Sequence, residues 1–265
     1  MPTSTPPAPA PATDPFASFR LDGRVVLITG TSSGIGVRFA RVLHAAGAQV
    51  VMAARRLDRL DALASELPGS VAVQADVSVP DECARLVDHI VTRFGRVDVL
   101  VNNAGTVAIF RPEDEPYDEW RRVMAVNLDA AFVLSQACAN ASMFANGGVI
   151  VNVASVLGLV SSGRLPQASY SASKGGLVNL TRELACLWAR KQVRVNALCP
   201  GFFDSELTND LMQDEGGAKW LRSQTPMGRV GAEGELDGAL LFLCSDASSY
   251  MTGQALVVDG GWSAA

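Results

Sequence analysis

The stretch "VVLITGTSSGIG" (25–36) decides how this chain is built. Its first five residues are β-branched or aliphatic throughout, the pattern of a strand buried on both faces. The glycines that follow, at 30, 34 and 36, carry the chain through a tight turn into a helical pattern that begins at Ile35. Strand, glycine turn and helix in that order let backbone amides and a helix N-terminus face an anion, and Ser32 and Ser33 add hydroxyl donors. The spacing is Gly-x-x-x-Gly-x-Gly rather than the commoner Gly-x-Gly-x-x-Gly, yet its backbone can approach a pyrophosphate as closely.

The same alternation runs outward to the C-terminus. Apolar runs at 48–55, 70–77, 97–105, 148–155, 193–201 and 255–261 are separated by amphipathic stretches at 57–67, 81–94, 117–141, 169–189 and 233–244. Seven strands with helices between them predict one doubly wound α/β domain with a seven-stranded parallel sheet flanked by helices. The domain is expected over 21–265. A Pro/Ala-rich tail (1–20) precedes it and is expected to be disordered or polyproline-like. Ligands of such sheets bind beyond the carboxyl ends of the strands. Thr29-Gly30, Arg55, Asp76, Asn102-Asn103, Ser155 and Pro200-Gly201 all collect there.

Bulk properties narrow the classes. The 265 residues are 48% hydrophobic and 18% charged, with net charge -5, which argues for a globular protein and against a nucleic-acid surface. No uninterrupted apolar run approaches the ~18 residues of a membrane helix. The five cysteines are scattered without Cys-x-x-Cys spacing, as expected of packed, reduced thiols in the cytoplasm. His44 and His89 lie in helical patterns away from the strand ends, and no metal-ligand cluster is visible. Glu113, Asp114 and Glu115 read as a solvated acidic loop.

Two side-chain patterns carry chemistry. The second strand ends "AARR" (53–56), so Ala54, Arg55 and Arg56 stand where an acid would accept the adenosine ribose hydroxyls of NAD. An absent acid and a present cation suit a 2′-phosphate, which predicts NADP(H), with NAD(H) as the alternative. In "YSASK" (170–174), Tyr170 and Lys174 are four residues apart on one helix face and can reach one spot.

With these residues in view, the sequence resembles the short-chain dehydrogenase/reductase family, in its roughly 250-residue form. The resemblance covers about Leu21 to Trp262. It rests on "TGTSSGIG" (29–36), "DV" (76–77), "NNAG" (102–105), the Asn of "MAVNLDAAF" (127), the Ser of "VNVAS" (155), "YSASK" (170–174) and "PG" (200–201). Within the family it is similar to bacterial 3-oxoacyl-carrier-protein and keto-alcohol reductases.

The resemblance implies a Rossmann-type fold and a catalytic set of Asn127, Ser155, Tyr170 and Lys174. It implies cofactor contacts from Gly30, Ser32, Ser33, Gly34, Ile35 and Gly36. Further contacts are implied at Asp76, Val77, Asn103, Ala104 and Gly105, at Tyr170 and Lys174, and at Pro200, Gly201, Phe203 and Ser205. Ser205 stands where many members carry threonine, and Ser33 where many NADP-using members carry arginine or lysine. A free phenol titrates near pH 10, and a nearby ammonium favours its ionised form. Tyr170 would exchange a proton with the substrate oxygen, Ser155 would hydrogen-bond that oxygen, and Asn127 would help hold a water beside Lys174.

The resemblance also implies a substrate lid at about 202–226, with Leu207, Leu211, Met212, Trp220 and Leu221 as its apolar residues, and a facing wall at 156–167. Core packing is the alternative reading of those apolar residues. Paired helices around 123–139 and 174–189 imply a homotetramer. The expected activity is hydride transfer between NADP(H) and a carbonyl or secondary alcohol. An NAD-dependent alcohol dehydrogenase and a non-catalytic nucleotide sensor are the alternatives. Ketones, cyclic alcohols, steroids and acyl thioesters all suit the apolar walls.

Overall fold

The computed structural model describes residues 14–203 and 213–264. Its seven strands are β1 Val25–Thr29, β2 Gln49–Ala54, β3 Val71–Gln74, β4 Val99–Asn102, β5 Gly148–Val153, β6 Val193–Pro200 and β7 Ala255–Val258. All pair in parallel, in the order β3-β2-β1-β4-β5-β6-β7. Strand side chains alternate between faces, and the two resulting layers can be read residue by residue. Val26, Ile28, Val50 and Met52 face one core with Phe39, Leu43 and Leu60. Val25, Leu27, Val51 and Leu100 face the other with Leu86, Ile90 and Leu134. Burial on both faces is why every residue of β1 is apolar up to Thr29.

Helices α1 Gly34–Ala45, α2 Leu57–Glu66 and α7 Asp237–Cys244 cover the first face. Helices α3 Pro80–Phe94, α4 Tyr117–Asn146 and α5 Ala168–Trp188 cover the second, and α6 Glu215–Gln224 lies beyond the end of β6. Helix α4 runs five residues past the end expected at 141 and contains two π turns, Ala125–Asp129 and Ala139–Met143. It is also the one helix among the described residues that is long and apolar enough to cross a membrane, although polar residues interrupt its apolar runs. Ala130, Leu134, Cys138 and Met143 use that apolarity in the core, but only 44% of its most apolar window is buried.

The proline-rich tail over residues 1–13 lies outside the described residues. From Asp14 the chain is ordered as a turn and a 3-10 turn at Ala17–Phe19, and Leu21 enters the core. All five cysteines are free, and Cys186 is the exposed one. Burial pushes the Cys83 and Cys199 thiols up to about 11 and those of Cys138 and Cys244 up to about 12, which disfavours the thiolate at all four.

Candidate active site

The sheet order turns between β1 and β4, and the loops from those two strand ends interlock. Asn103 Nδ2 donates to Thr29 O at 2.8 Å, while Thr29 Oγ1 accepts from the amides of Asn103 and Ala104 at 3.1 and 3.0 Å. Gly36 lies under this junction, where a Cβ would stand 2.3 Å from Gly30 O and 2.6 Å from Asn103 Nδ2. Only glycine lets the first turn of α1 come so near. Ser33 caps α1 with no side-chain bond, which leaves the first amides of the helix for an anion. Thr31 Oγ1 and Asn103 Oδ1 are buried here without a hydrogen-bond partner among the described residues, the signature of a polar ligand still to be bound.

The two arginines of "AARR" part company. The Arg55 side chain is exposed and makes no polar contact among the described residues. Arg56 folds back onto the glycine turn, donating to Ser32 Oγ at 2.9 Å and to Ser33 Oγ at 2.9 Å. Arg59 reaches Ser32 O from α2 at 3.4 Å. A guanidinium therefore sits beside position 33 although the residue there is a serine. Asp76, at the next strand end, spends Oδ1 on the Ser78 amide and hydroxyl, and Val77 beside it is buried.

The proton-handling groups converge one strand over. Ser155 follows β5, and its Oγ accepts from the Leu157 amide at 3.1 Å, while its closeness to the Tyr170 hydroxyl favours the ionised phenol against the larger opposing effect of burial. The short turn after it lies directly on α5, where a Cβ at Gly158 would meet Lys174 O at 2.7 Å. Lys174, 4% exposed, donates from Nζ to Val153 O at 2.7 Å and stands 5.8 Å from the centre of the Tyr170 ring. Burial pushes the Lys174 ammonium down to about 8 and raises the Tyr170 phenol above its ordinary value. Desolvation thus holds the phenol protonated, and ionising it requires added positive charge nearby.

Asn127, in the first π turn of α4, joins the set through its amide. Oδ1 accepts from Thr106 N at 2.8 Å, and Nδ2 donates to Thr106 O at 2.9 Å and Ser173 Oγ at 3.0 Å. Ser173 Oγ in turn donates to Tyr170 O at 2.7 Å. The Asn127 side chain therefore ties the β4 loop to α5, and a Cβ at Gly105 would stand 3.6 Å from both Lys174 Nζ and Asn127 Oδ1.

Other expected positions fall differently. Asn102, grouped above with the ligand-facing strand ends, turns inward, donating to Asn152 Oδ1 at 2.9 Å and Ser135 Oγ at 3.2 Å. Asn152 passes the chain on to Thr181 Oγ1 at 2.9 Å. Gly201 packs against Asp259 at the end of β6. The Phe203 ring is buried against Gly231, at the edge of a cavity it shares with Phe202 and Thr225. Ser205, Leu207, Leu211 and Met212 lie outside the described residues. Leu221 is fully buried, so core packing accounts for it, and Trp220 is partly exposed beside it.

Glu115 is not the solvated residue expected. It is half-buried, and Oε2 accepts from the Ser169 amide in the first turn of α5, one residue before Tyr170, at 3.4 Å. Glu113 and Asp114 are exposed as expected. No group of His, Cys, Asp and Glu among the described residues could hold a metal ion.

A doubly wound parallel sheet with a glycine-turned anion cradle and a half-buried tyrosine paired with a buried lysine one strand away defines a dinucleotide-dependent oxidoreductase. The family described as Enoyl-(Acyl carrier protein) reductase matches residues 30–263. Galactitol 2-dehydrogenase (L-tagatose-forming) of Cereibacter sphaeroides is 40% identical over 92% of this chain and 96% of its own length. The 3-oxoacyl-(acyl-carrier-protein) reductase FabG of Thermotoga maritima is 38% identical over 91% and 98%. The crystal structure of a gluconate 5-dehydrogenase from Burkholderia cenocepacia, in complex with NADP and tartrate, superposes with a TM-score of 0.89 at 38% identity, covering 94% of this chain and 98% of that one. The chain belongs to the short-chain dehydrogenase/reductase family and is an oxidoreductase that interconverts CH–OH and C=O groups.

Proposed function

We propose that the protein is an NADP(H)-dependent carbonyl reductase or alcohol dehydrogenase working through Ser155, Tyr170, Lys174 and Asn127. The observation that carries this reading is the Tyr170–Lys174 pair beside Ser155, with the buried ammonium held 5.8 Å from the centre of the Tyr170 ring, one strand from the nucleotide cradle. Bound in that cradle, the nicotinamide supplies or accepts the hydride. Tyr170 gives its proton to a carbonyl oxygen, or takes one from an alcohol, and Ser155 hydrogen-bonds the same oxygen as charge develops. Lys174 supplies positive charge that the buried phenol lacks otherwise. Asn127 positions the lysine by holding the β4 loop against α5. The amides at the start of α1, Thr31 and Asn103 would take the polar parts of the nucleotide.

Arg55 and Arg56 support the preference for a 2′-phosphate. Arg56 is held on Ser32 and Ser33, and Arg55 projects from the same strand end. A hydrogen bond to a charged group is worth ~1.5–3 kcal/mol, roughly tenfold to a hundredfold in affinity. Arg55→Ala and Arg56→Ala should each lower the NADPH:NADH ratio of kcat/KM by about tenfold or more, the double variant by more than either. A parent enzyme that prefers NADH, or a ratio unmoved by both changes, would overturn this assignment.

The reading includes a small-molecule substrate, action in the cytoplasm and a homotetramer. The exposed side chains of Phe132 on α4 and Leu187 on α5 support the assembly, because both helices are already packed on their core-facing sides. Light scattering is expected to give about four times the 27.9 kDa of one chain. A mass of one chain would contradict it.

A further inference from the structure

The names of the relatives span sugar alcohols, sugar acids and acyl thioesters, so they leave the substrate open. The surroundings of Tyr170 narrow it. The catalytic ring packs against a cluster whose buried members are Val156, Leu157, Leu221 and Trp262. Three aromatic rings extend that wall: Phe202 lies 4.8 Å from Trp262 and 6.4 Å from Trp220, and the two tryptophans are 5.4 Å apart.

Apolar side chains continue on the loops that leave β4 and β5. The β4 loop presents Ile109 and Phe110, 63% and 36% exposed, and it is joined to the β5 loop by the Phe110 amide bonding to Pro166 O. The β5 loop adds Leu159, 37% exposed. Several polar groups on these loops are engaged with partners inside the protein. Ser161 and Ser162 accept from the amides of Gly163, Arg164 and Leu165, Arg164 lies over the Trp220 ring, and Arg122 bonds Thr106 and Glu119.

A polyhydroxylated chain would need a donor or acceptor for each hydroxyl it desolvates, and unpaired polar groups bind poorly. Grouped exposed apolar residues beside a reaction centre instead mark a site for apolar surface. We infer that, given the reductase reading above, the natural substrate carries its carbonyl or secondary alcohol on a predominantly apolar cyclic body, aryl or alicyclic. Its polar reacting end meets Ser155 and Tyr170, and its ring lies against the wall of Phe202, Trp220 and Trp262, under Ile109 and Leu159.

The test is kcat/KM with NADPH for two sets of substrates, with alcohol oxidation measured in the reverse direction. One set is aryl and alicyclic ketones (acetophenone, tetralone, decalone); the other is galactitol, gluconate and their oxo forms. Ring ketones should exceed the sugar set by at least ~100-fold, about the discrimination expected from polar groups left unpaired. Ile109→Asn and Leu159→Asn, both at exposed positions that tolerate polarity, should raise KM for ring ketones several-fold and leave kcat within about twofold. Turnover of the sugar set equal to or above that of the ring ketones overturns the apolar assignment and leaves the Tyr170 chemistry standing. Unchanged KM in both variants also overturns it. No turnover of either set, with NADPH still bound, overturns both readings.

Discussion

Tyr170→Phe should lower kcat for carbonyl reduction at least ~10²-fold, the lower end of what a positioned general acid contributes. The phenol stands beside Ser155 and Lys174, and the proposed chemistry passes the proton to the substrate oxygen through it. The change removes one oxygen and fills the same volume, so the melting temperature and the Kd for NADPH should stay close to those of the parent. A pH signature accompanies it. Burial raises the phenol, so in the parent alcohol oxidation should climb as pH rises toward the alkaline range, because the acting form has lost its proton. Carbonyl reduction, which uses the protonated form, should decline over the same range. The phenylalanine variant should lack both trends. More than a tenth of parental kcat in a folded variant would remove Tyr170 from the proposed role.

The second large effect is a pairing of lost activity with retained or increased stability in Lys174→Met. Activity should fall by at least ~10²-fold, since the phenol then loses the cation held 5.8 Å from its ring. Stability should move the other way. The ammonium is pushed from 10.5 down to about 8, so holding it charged costs folding roughly 3 kcal/mol at neutral pH. Losing the bond to Val153 O returns about 1–3 kcal/mol of that as an unpaired carbonyl. The sign in pH follows from proton counts. Between about 8 and 10.5 the unfolded chain binds the proton and the folded one does not, so parental stability rises with pH through that window. Below about 8 both states are charged and the penalty is complete. The methionine variant should show no such rise when thermal unfolding is compared at pH 7.5 and 9.5. A variant several degrees less stable at both pH values would mean that Lys174 is chiefly structural.

Much of this architecture is legible in the chain because parallel strands buried on both faces announce themselves. "VVLIT" has no polar position to mislead the eye until Thr29, and the glycine pattern after it is written by steric need at Gly36. Tyr170 and Lys174 are legible because helical spacing puts them on one face. What escaped depends on register between distant segments. Asn102 and Asn152 are opposite residues on β4 and β5, a pairing that places both amides in one buried network, and no local pattern reveals which asparagine of "NN" turns inward. Glu115 sits among exposed acids in sequence and is singled out only because the β4 loop folds onto the start of α5. Ser173 stands inside the quoted "YSASK", yet its bond to Asn127 crosses 46 residues. Arg56 could be read as a cation but not as one folded back onto Ser33. Phe203 is tied by a backbone bridge to Gly231 and its ring packs on that glycine, a pairing between segments that no local pattern reveals.

The two π turns of α4 bear on how this chain can change length over generations. A π turn is an α turn holding one additional residue, so at each of the two the helix accommodates an extra residue without breaking. One residue corresponds to about 100° of helical rotation. Two such extra residues therefore let the segment around Asn127 and the segment around Leu134, and then the one beyond Ala139, choose their facing directions separately along a single rod. Losing one residue anywhere between 125 and 129 would restore regular winding while swinging Asn127 away from Thr106 and Ser173, or Leu134 away from Leu86. Descendants of this chain can thus trade side chains along α4 freely, but they can shorten it there only by giving up one of its two allegiances.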